Sequence, residues 1–292
     1  MNIKKYADKH YRNVSYVLFL VLILNWIVSA AKIIFGLISR SSSMTADGFH
    51  SFSDGASNVV GLVGITIACR PRDEDHPYGH KKYETFFSLG IAFLLGMVCF
   101  ELIQEGIRRV QNPVVPNITT ISFIVMVCTL LINIAVMKYE RRKGDEMNSD
   151  ILISDSKHTR ADILTSASVI ITFVAIKLGF VMLDAIITLV IALFIAHAAY
   201  EIIREGSRVL CDTAIVDVEN IEKIVMSVKG VKSCHKIRTR GRPDDINLDL
   251  HVQVVPEMHI KEAHKICYAV ENEIKKHMPE ITDIVVHAEP RE

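Results

Sequence analysis

The sequence predicts an α-helical membrane protein, with six transmembrane helices followed by a small cytoplasmic α/β domain of the ferredoxin-like αββαβ kind. Three observations carry this expectation. Half of the 292 residues are hydrophobic and the mean hydropathy is +0.29. The long apolar runs are confined to residues 14 to about 210. Beyond that point the pattern changes to the short amphipathic and alternating segments of a soluble domain, so two domains are expected, 1–210 and 211–292.

The opening Met1 to Asn13 is basic, with Lys4, Lys5, Lys9 and Arg12. Six apolar segments follow at roughly 15–38, 44–68, 85–108, 118–138, 153–178 and 182–209. Each is near the ~20 residues that a helix needs to cross the hydrocarbon core. Positive charge sets the orientation. The basic N-terminus, the 69–83 loop (Arg70, Arg72, Lys81, Lys82) and the 139–150 loop (Arg141, Arg142, Lys143) fall on one side. An even number of spans then puts both termini in the cytoplasm. No cleavable signal peptide is expected, because the first apolar run is longer than a signal core and lacks a small-residue cleavage site after it.

The tail is read in order as a helix at 218–228, strands at 231–239 and 246–255, a helix at 259–277 and a last strand at 281–287. Gly241-Arg242-Pro243-Asp244-Asp245 supplies the hairpin connection. Such a small domain has a modest core, to which a metal or a partner subunit could add stability.

Composition excludes several classes. Lys plus Arg and Asp plus Glu balance at 33 each, which leaves no basic excess for nucleic acid. The six cysteines, Cys69, Cys99, Cys128, Cys211, Cys234 and Cys267, form no Cys-x-x-Cys pair. They read as small hydrophobes in a reducing compartment, not as a disulfide framework or thiolate site.

Function is signalled by charge where lipid forbids it. His50 and Asp54 lie four apart in the second apolar segment, and His158 and Asp162 repeat that spacing in the fifth. Residues four apart share one face of a helix. An intramembrane carboxylate costs at least ~2.5 kcal/mol and usually marks an ion or proton pathway. Two imidazoles and two carboxylates are the ligand count of a tetrahedral divalent site, suited to Zn²⁺ and less specifically to Cd²⁺, Co²⁺ or Fe²⁺. A structural reading, with each His a packing residue and each Asp at an interface, explains one such residue better than two matched pairs. Asp47, one turn before His50, is either a ligand, a supporting partner or a proton relay.

Two further groups stand out. In the 69–83 loop, Asp73, His76 and His80 could hold a surface metal, although a charged loop with Pro77 and Gly79 is also what a solvated turn looks like. In the tail, His235, His251, His264, His287 and Glu289 are spread over strands and a helix and meet only if the fold brings them together. His10, His197, His259 and His277 are set aside as non-ligands, with His197 the strongest exception.

Six spans, the paired His-x-x-x-Asp, the loop Asp-His-Pro-Tyr-Gly-His-Lys-Lys-Tyr-Glu and the closing Val-His-Ala-Glu-Pro together resemble the cation diffusion facilitator family over essentially the whole chain. That resemblance implies a homodimeric divalent-cation/proton antiporter with a metallochaperone-like cytoplasmic domain. It implies a transport site of His50, Asp54, His158 and Asp162, and a loop site of Asp73, His76 and His80. It implies a binuclear zinc site in the tail from His235, His251, His264, His287 and Glu289, and an inter-protomer charge interlock of Lys82 and Asp212. His50 matches the zinc-type branch of the family. Asp47 is an added acid that leaves selectivity open, and Glu289 stands where some relatives have Asp.

The expected activity is therefore efflux of Zn²⁺ in exchange for protons across a prokaryotic inner membrane, by alternating access around a midplane site. A Mn²⁺- or Fe²⁺-selective transporter of the same family is the alternative. Outside that class stand a membrane-anchored metal sensor and an intramembrane metallohydrolase. An anchor has no use for charged pairs in its spans. A hydrolase needs an open coordination position, and His-Glu-x-x-His is absent.

Overall fold

The computed structural model describes residues 3–38, 42–111, 120–177 and 182–291. The chain forms two compact units, Met1–Gly206 and Ser207–Glu292.

The first unit contains six long helices: α1 Ile3–Ile38, α2 Ser42–Ala68, α3 Lys82–Gln111, α4 Thr120–Met147, α5 Asp150–Lys177 and α6 Met182–Leu210. Among the described residues, Tyr11–Phe35, Lys82–Arg108 and Phe123–Met147 are long and apolar enough to cross a bilayer by length and composition, and Gly55–Ala68 is a shorter apolar stretch. Polar residues such as Ser57, Asn58, Asp155 and His158 dilute the hydropathy of α2 and α5.

Two boundaries differ from the sequence expectation. Helix α1 begins at Ile3, so most of the basic opening continues the helix. Helix α4 continues through most of the expected 139–150 loop to Met147. Arg141 Nε donates to Asp145 Oδ2 at 3.1 Å and Arg142 Nε to Glu146 Oε1 at 2.8 Å. These pairs, one turn apart, favour helix over loop. The reversal into α5 is confined to Asn148, whose φ is 49°, and Ser149, whose Oγ accepts from Leu152 N at 3.4 Å. A Cβ on Gly144 would lie 3.0 Å from the backbone nitrogen of Ile153, so only glycine lets α4 and α5 approach this closely.

Val14, Leu18 and Val21 of α1, Ile65 of α2, Ile91 of α3 and Ile151 of α5 are buried in one core. Leu95 and Cys99 of α3, Ala161 of α5 and Ile191 and Ile195 of α6 form a second. At Gly64 a Cβ would come within 2.5 Å of Phe87 and 2.9 Å of Ile151, so α2, α3 and α5 meet there without room for a methyl group. Small residues commonly permit such approach in membrane bundles. Phe93, Phe100, Leu193 and Phe194 point outward and exposed, as lipid-facing positions do.

The second unit runs α7 Val218–Met226, β1 Ser233–Arg242, β2 Asp245–Val254, α8 Ile260–His277 and β3 Ile281–Pro290. This is the expected αββαβ order, with β1 and β3 longer than expected, β2 shifted by one residue and the hairpin reduced to Pro243 and Asp244. Strand β2 is central, antiparallel to β1 and parallel to β3. Its even-numbered residues from Ile246 to Val254 are all buried, against Ile221 and Val225 of α7 and Val270 and Ile274 of α8. The odd-numbered residues therefore line an open polar face. Strand β1 carries a bulge between His235 and Arg238, where Lys236 has φ 49°. The extra residue keeps both Cys234 and Ile237 against the core while His235 stays on the open face.

Candidate metal centres

The tail group is built by strand register. His235 of β1 lies opposite His251 of β2, and His251 opposite His287 of β3, so three imidazoles form one row across the open face. Glu289, two residues beyond His287, reaches back to them. His251 Nδ1 lies 2.6 Å from Glu289 Oε1, His235 Nε2 lies 3.1 Å from Oε2, and His287 Nε2 lies 3.7 Å from Oε1. Hydrogen bonding from His251 is the largest cause holding the Glu289 carboxyl below its usual range. Ligand atoms of His235, His251 and Glu289 all lie within 4.8 Å of one another. His287 borders this trio, with its ring 4.7 Å from that of His251. His264 does not join it. It is exposed on α8, which packs on the apolar face of the sheet, and its ring lies edge-on to Tyr268. His259 caps α8 instead, with Nδ1 accepting from Lys261 N at 3.2 Å.

The loop group is assembled by a tight turn. Gly79, at φ 91°, adopts the left-handed backbone that returns His80 towards Asp73. Asp73 Oδ1 accepts from His76 N at 2.7 Å, and Asp73 Oδ2 lies 3.4 Å from His80 Nε2. The backbone donor of His76 is the largest cause that lowers the Asp73 carboxyl. His80 is buried and its Nδ1 lies 3.1 Å from the Pro71 carbonyl oxygen. A carbonyl can only accept, so Nδ1 donates to it and Nε2 is the nitrogen turned towards Asp73. Ligand atoms of Asp73, His76 and His80 lie within 4.8 Å of one another, and Tyr83 Oη closes the group 3.4 Å from His76 Nε2. Both sets combine imidazole nitrogen with carboxylate oxygen, a donor chemistry that suits Zn²⁺.

Of the intramembrane set, His158 and Asp162 lie on α5, the imidazole buried and the carboxylate half-buried. His50, Asp54 and Asp47 lie on α2, which packs against α5, and their side chains fall outside the described residues. Next to this set the structure shows a polar chain that sequence reasoning missed. Asn25 Nδ2 of α1 donates to Asn58 Oδ1 of α2 at 3.0 Å, and Asn58 Nδ2 donates to Asp155 Oδ2 of α5. Thr159 Oγ1 of α5 donates to Glu140 Oε2 of α4 at 2.9 Å. Asn58, Asp155 and Glu140 are fully buried. A sequence signal for two of them exists: Asn58 is four residues after Asp54, and Asp155 three before His158.

Lys82 opens α3, and Asp212 follows α6 with φ 54°. His197 is exposed and lies 3.4 Å from Glu201. Burial raises the thiols of Cys234 and Cys267, consistent with packing residues.

The chain matches two family models, the cation efflux transmembrane domain over residues 18–211 and the cation efflux protein cytoplasmic domain over residues 215–291. It is similar to an uncharacterized transporter of Methanocaldococcus jannaschii, at 32% identity over 90% of this chain and 94% of that protein. It is 29% identical to the manganese efflux system protein MneS of Bacillus subtilis, over 91% and 92% of the two chains. It is 27% identical to the cation-efflux pump FieF of Shewanella oneidensis, over 89% and 88%. The match over two thirds of the chain to the membrane domain, joined to that of the tail, makes this protein a member of the cation diffusion facilitator family: a multi-pass membrane transporter of divalent cations, not an enzyme.

Proposed function

We propose that the protein exports Zn²⁺ from the cytoplasm in exchange for protons, as a homodimer in a prokaryotic inner membrane with both termini cytoplasmic. The observation that carries this reading is the buried His158 with Asp162 on α5, a helix packed against the one that bears His50 and Asp54. These four residues bind the transported ion. Imidazole and carboxylate lose affinity for metal when they take up protons, so loading and protonation compete for the same atoms. In the inward state His50 and His158 are neutral and capture metal. In the outward state an acidic exterior protonates them and expels it. Asp47 tunes this exchange from one turn away.

The remaining groups hold ions that do not travel. Asp73, His76 and His80 hold one beside the membrane domain. His235, His251 and Glu289, bordered by His287, hold Zn²⁺ on the tail sheet, and His264 serves a separate position in the dimer. Lys82 and Asp212 lock the protomers together at the membrane surface. The name of the family model for the tail, ZT_dimer, supports dimerisation through that domain.

Manganese is the second reading, favoured by the similarity to a manganese efflux protein. Two imidazoles in the site argue for zinc, since nitrogen donors suit zinc and carboxylate sets suit manganese. The test is metal flux into proteoliposomes under an imposed pH gradient, with Zn²⁺, Cd²⁺, Fe²⁺, Co²⁺ and Mn²⁺ in competition. Zn²⁺ uptake that collapses with the gradient and with Asp162→Ala is expected. Uptake that survives Asp162→Ala, or that prefers Mn²⁺, overturns the assignment.

A further inference from the structure

We propose that a cleft between α4, α5 and α6 binds the headgroup of one anionic phospholipid. The site stands apart from the metal centres and does not depend on which ion is carried. Its volume is about 370 Å³, and its charged end is lined by Arg141 of α4, Lys157 and Arg160 of α5, and His197 and Glu201 of α6. Three basic side chains, besides the imidazole, thus face one carboxylate. Lys157 Nζ donates to Glu201 Oε2 at 2.9 Å, and His197 Nε2 lies 3.4 Å from Oε1 of the same acid. Arg141 is paired with Asp145 at 3.1 Å, but both side chains are about half exposed, and such a pair yields readily to a stronger anion. Arg160 is exposed and has no ion pair among the described residues. A phosphate group is the bidentate acceptor that two guanidinium forks match. The same charge repels a divalent cation, so the cleft is not a port for metal.

Depth selects a lipid over a free anion. Arg141 and Lys157 lie about two turns either side of the Asn148–Ser149 reversal, roughly 11 Å from it. The apolar stretch of α4 gives out at that level, where headgroups begin. On all three helices charge gives way to hydrocarbon in the same direction along the cleft: from Arg141 to Met137, from Arg160 to Leu164 and from Glu201 to Phe194. Phe194 is exposed on the outer surface, where acyl chains lie. One end of the cleft therefore meets a phosphate and the other a fatty chain, in the order a phospholipid presents them. A free phosphate has no use for the apolar end. Basic pockets between membrane helices hold anionic headgroups by this combination.

The test is native mass spectrometry of the full chain in detergent, titrated with phosphatidylglycerol or with phosphatidylcholine of the same acyl chains. Saturable binding of about one phosphatidylglycerol per protomer is expected, with phosphatidylcholine about tenfold weaker or more. Arg141→Gln with Arg160→Gln should weaken phosphatidylglycerol about 30-fold, and Arg160→Gln alone, at an exposed position that leaves the Lys157–Glu201 pair in place, about 5-fold. Arg142→Gln with Lys143→Gln removes as much charge from outside the cleft and should leave binding unchanged. Phe194→Ser should weaken the lipid with no change of charge, and inorganic phosphate should not displace it. Equal weakening by the two double variants, or equal retention of the two lipids, reduces the effect to general surface charge and overturns the site. Displacement by inorganic phosphate, with indifference to Phe194→Ser, gives the cleft to a free anion and overturns the lipid. Melting temperatures confirm that each variant is folded. Lipid retention is read without metal flux, so failure here is distinct from failure of the zinc reading.

Discussion

His251 Nδ1 and Glu289 Oε1 lie 2.6 Å apart although 38 residues separate them in sequence. The parallel pairing of β2 with β3 brings them together, and the same carboxylate reaches His235 on β1. Among the described residues, Glu289 of β3 thus links to both other strands of the open face, through His251 of β2 and His235 of β1. Replacing it with Gln removes charge and keeps shape. Zn²⁺ affinity of the tail, read by calorimetry on a chain lacking the loop histidines, should fall about 10- to 100-fold. Glu289→Asp shortens the arm and should fall less.

Asp73 gives a pH prediction with a definite sign. Its carboxyl is held below the ordinary value of 3.8, so its contacts with His76 are complete above that value and fade only as the pH drops through the lowered one. The contact between the Asp73 carboxylate and His76 N should therefore persist through the ordinary carboxylate range and be lost only below 3.8. Carboxyl NMR shifts of Asp73 followed against pH would check this, and loss of the contact at or above 3.8 would contradict it.

Asn58 donates to the fully buried Asp155. Asn58→Leu should destabilise the membrane unit by about 1–3 kcal/mol, because it removes one donor from the buried Asp155 carboxyl. Pairing it with Asp155→Leu should recover part of that loss. A double-mutant cycle on unfolding in mixed micelles measures the coupling.

Gly64 and Gly96 make an opposed pair. Gly64→Ala places a methyl group against Phe87 and Ile151 and should cost about 1–3 kcal/mol. Gly96→Ala meets nothing within 4 Å and should be neutral or stabilise helix α3 by about 0.5–1 kcal/mol. Comparing the two melting temperatures checks the packing of α2, α3 and α5.

The helical bundle and the αββαβ tail were legible because hydropathy and alternation are local. The tail trio was only half legible: spacing nominates His235, His251, His264, His287 and Glu289 equally, and only strand register separates His264 from the rest. The loop group was more legible, since a short turn with Gly79 leaves Asp73, His76 and His80 few other places to go. Glu140 was hidden. Reading Arg141, Arg142 and Lys143 as a loop places it at a membrane surface, whereas their pairing with Asp145 and Glu146 continues the helix and turns Glu140 inward.

That continuation has a mechanical consequence. Residues 139–147 prolong α4 by roughly 13 Å beyond the expected end of its apolar stretch. The two-residue reversal at Asn148 and Ser149, with Gly144 against Ile153, clamps this projection to the start of α5. A few degrees of tilt at His158 would be magnified at the outer end of such a lever. Events outside the bilayer could push on the same handle in return.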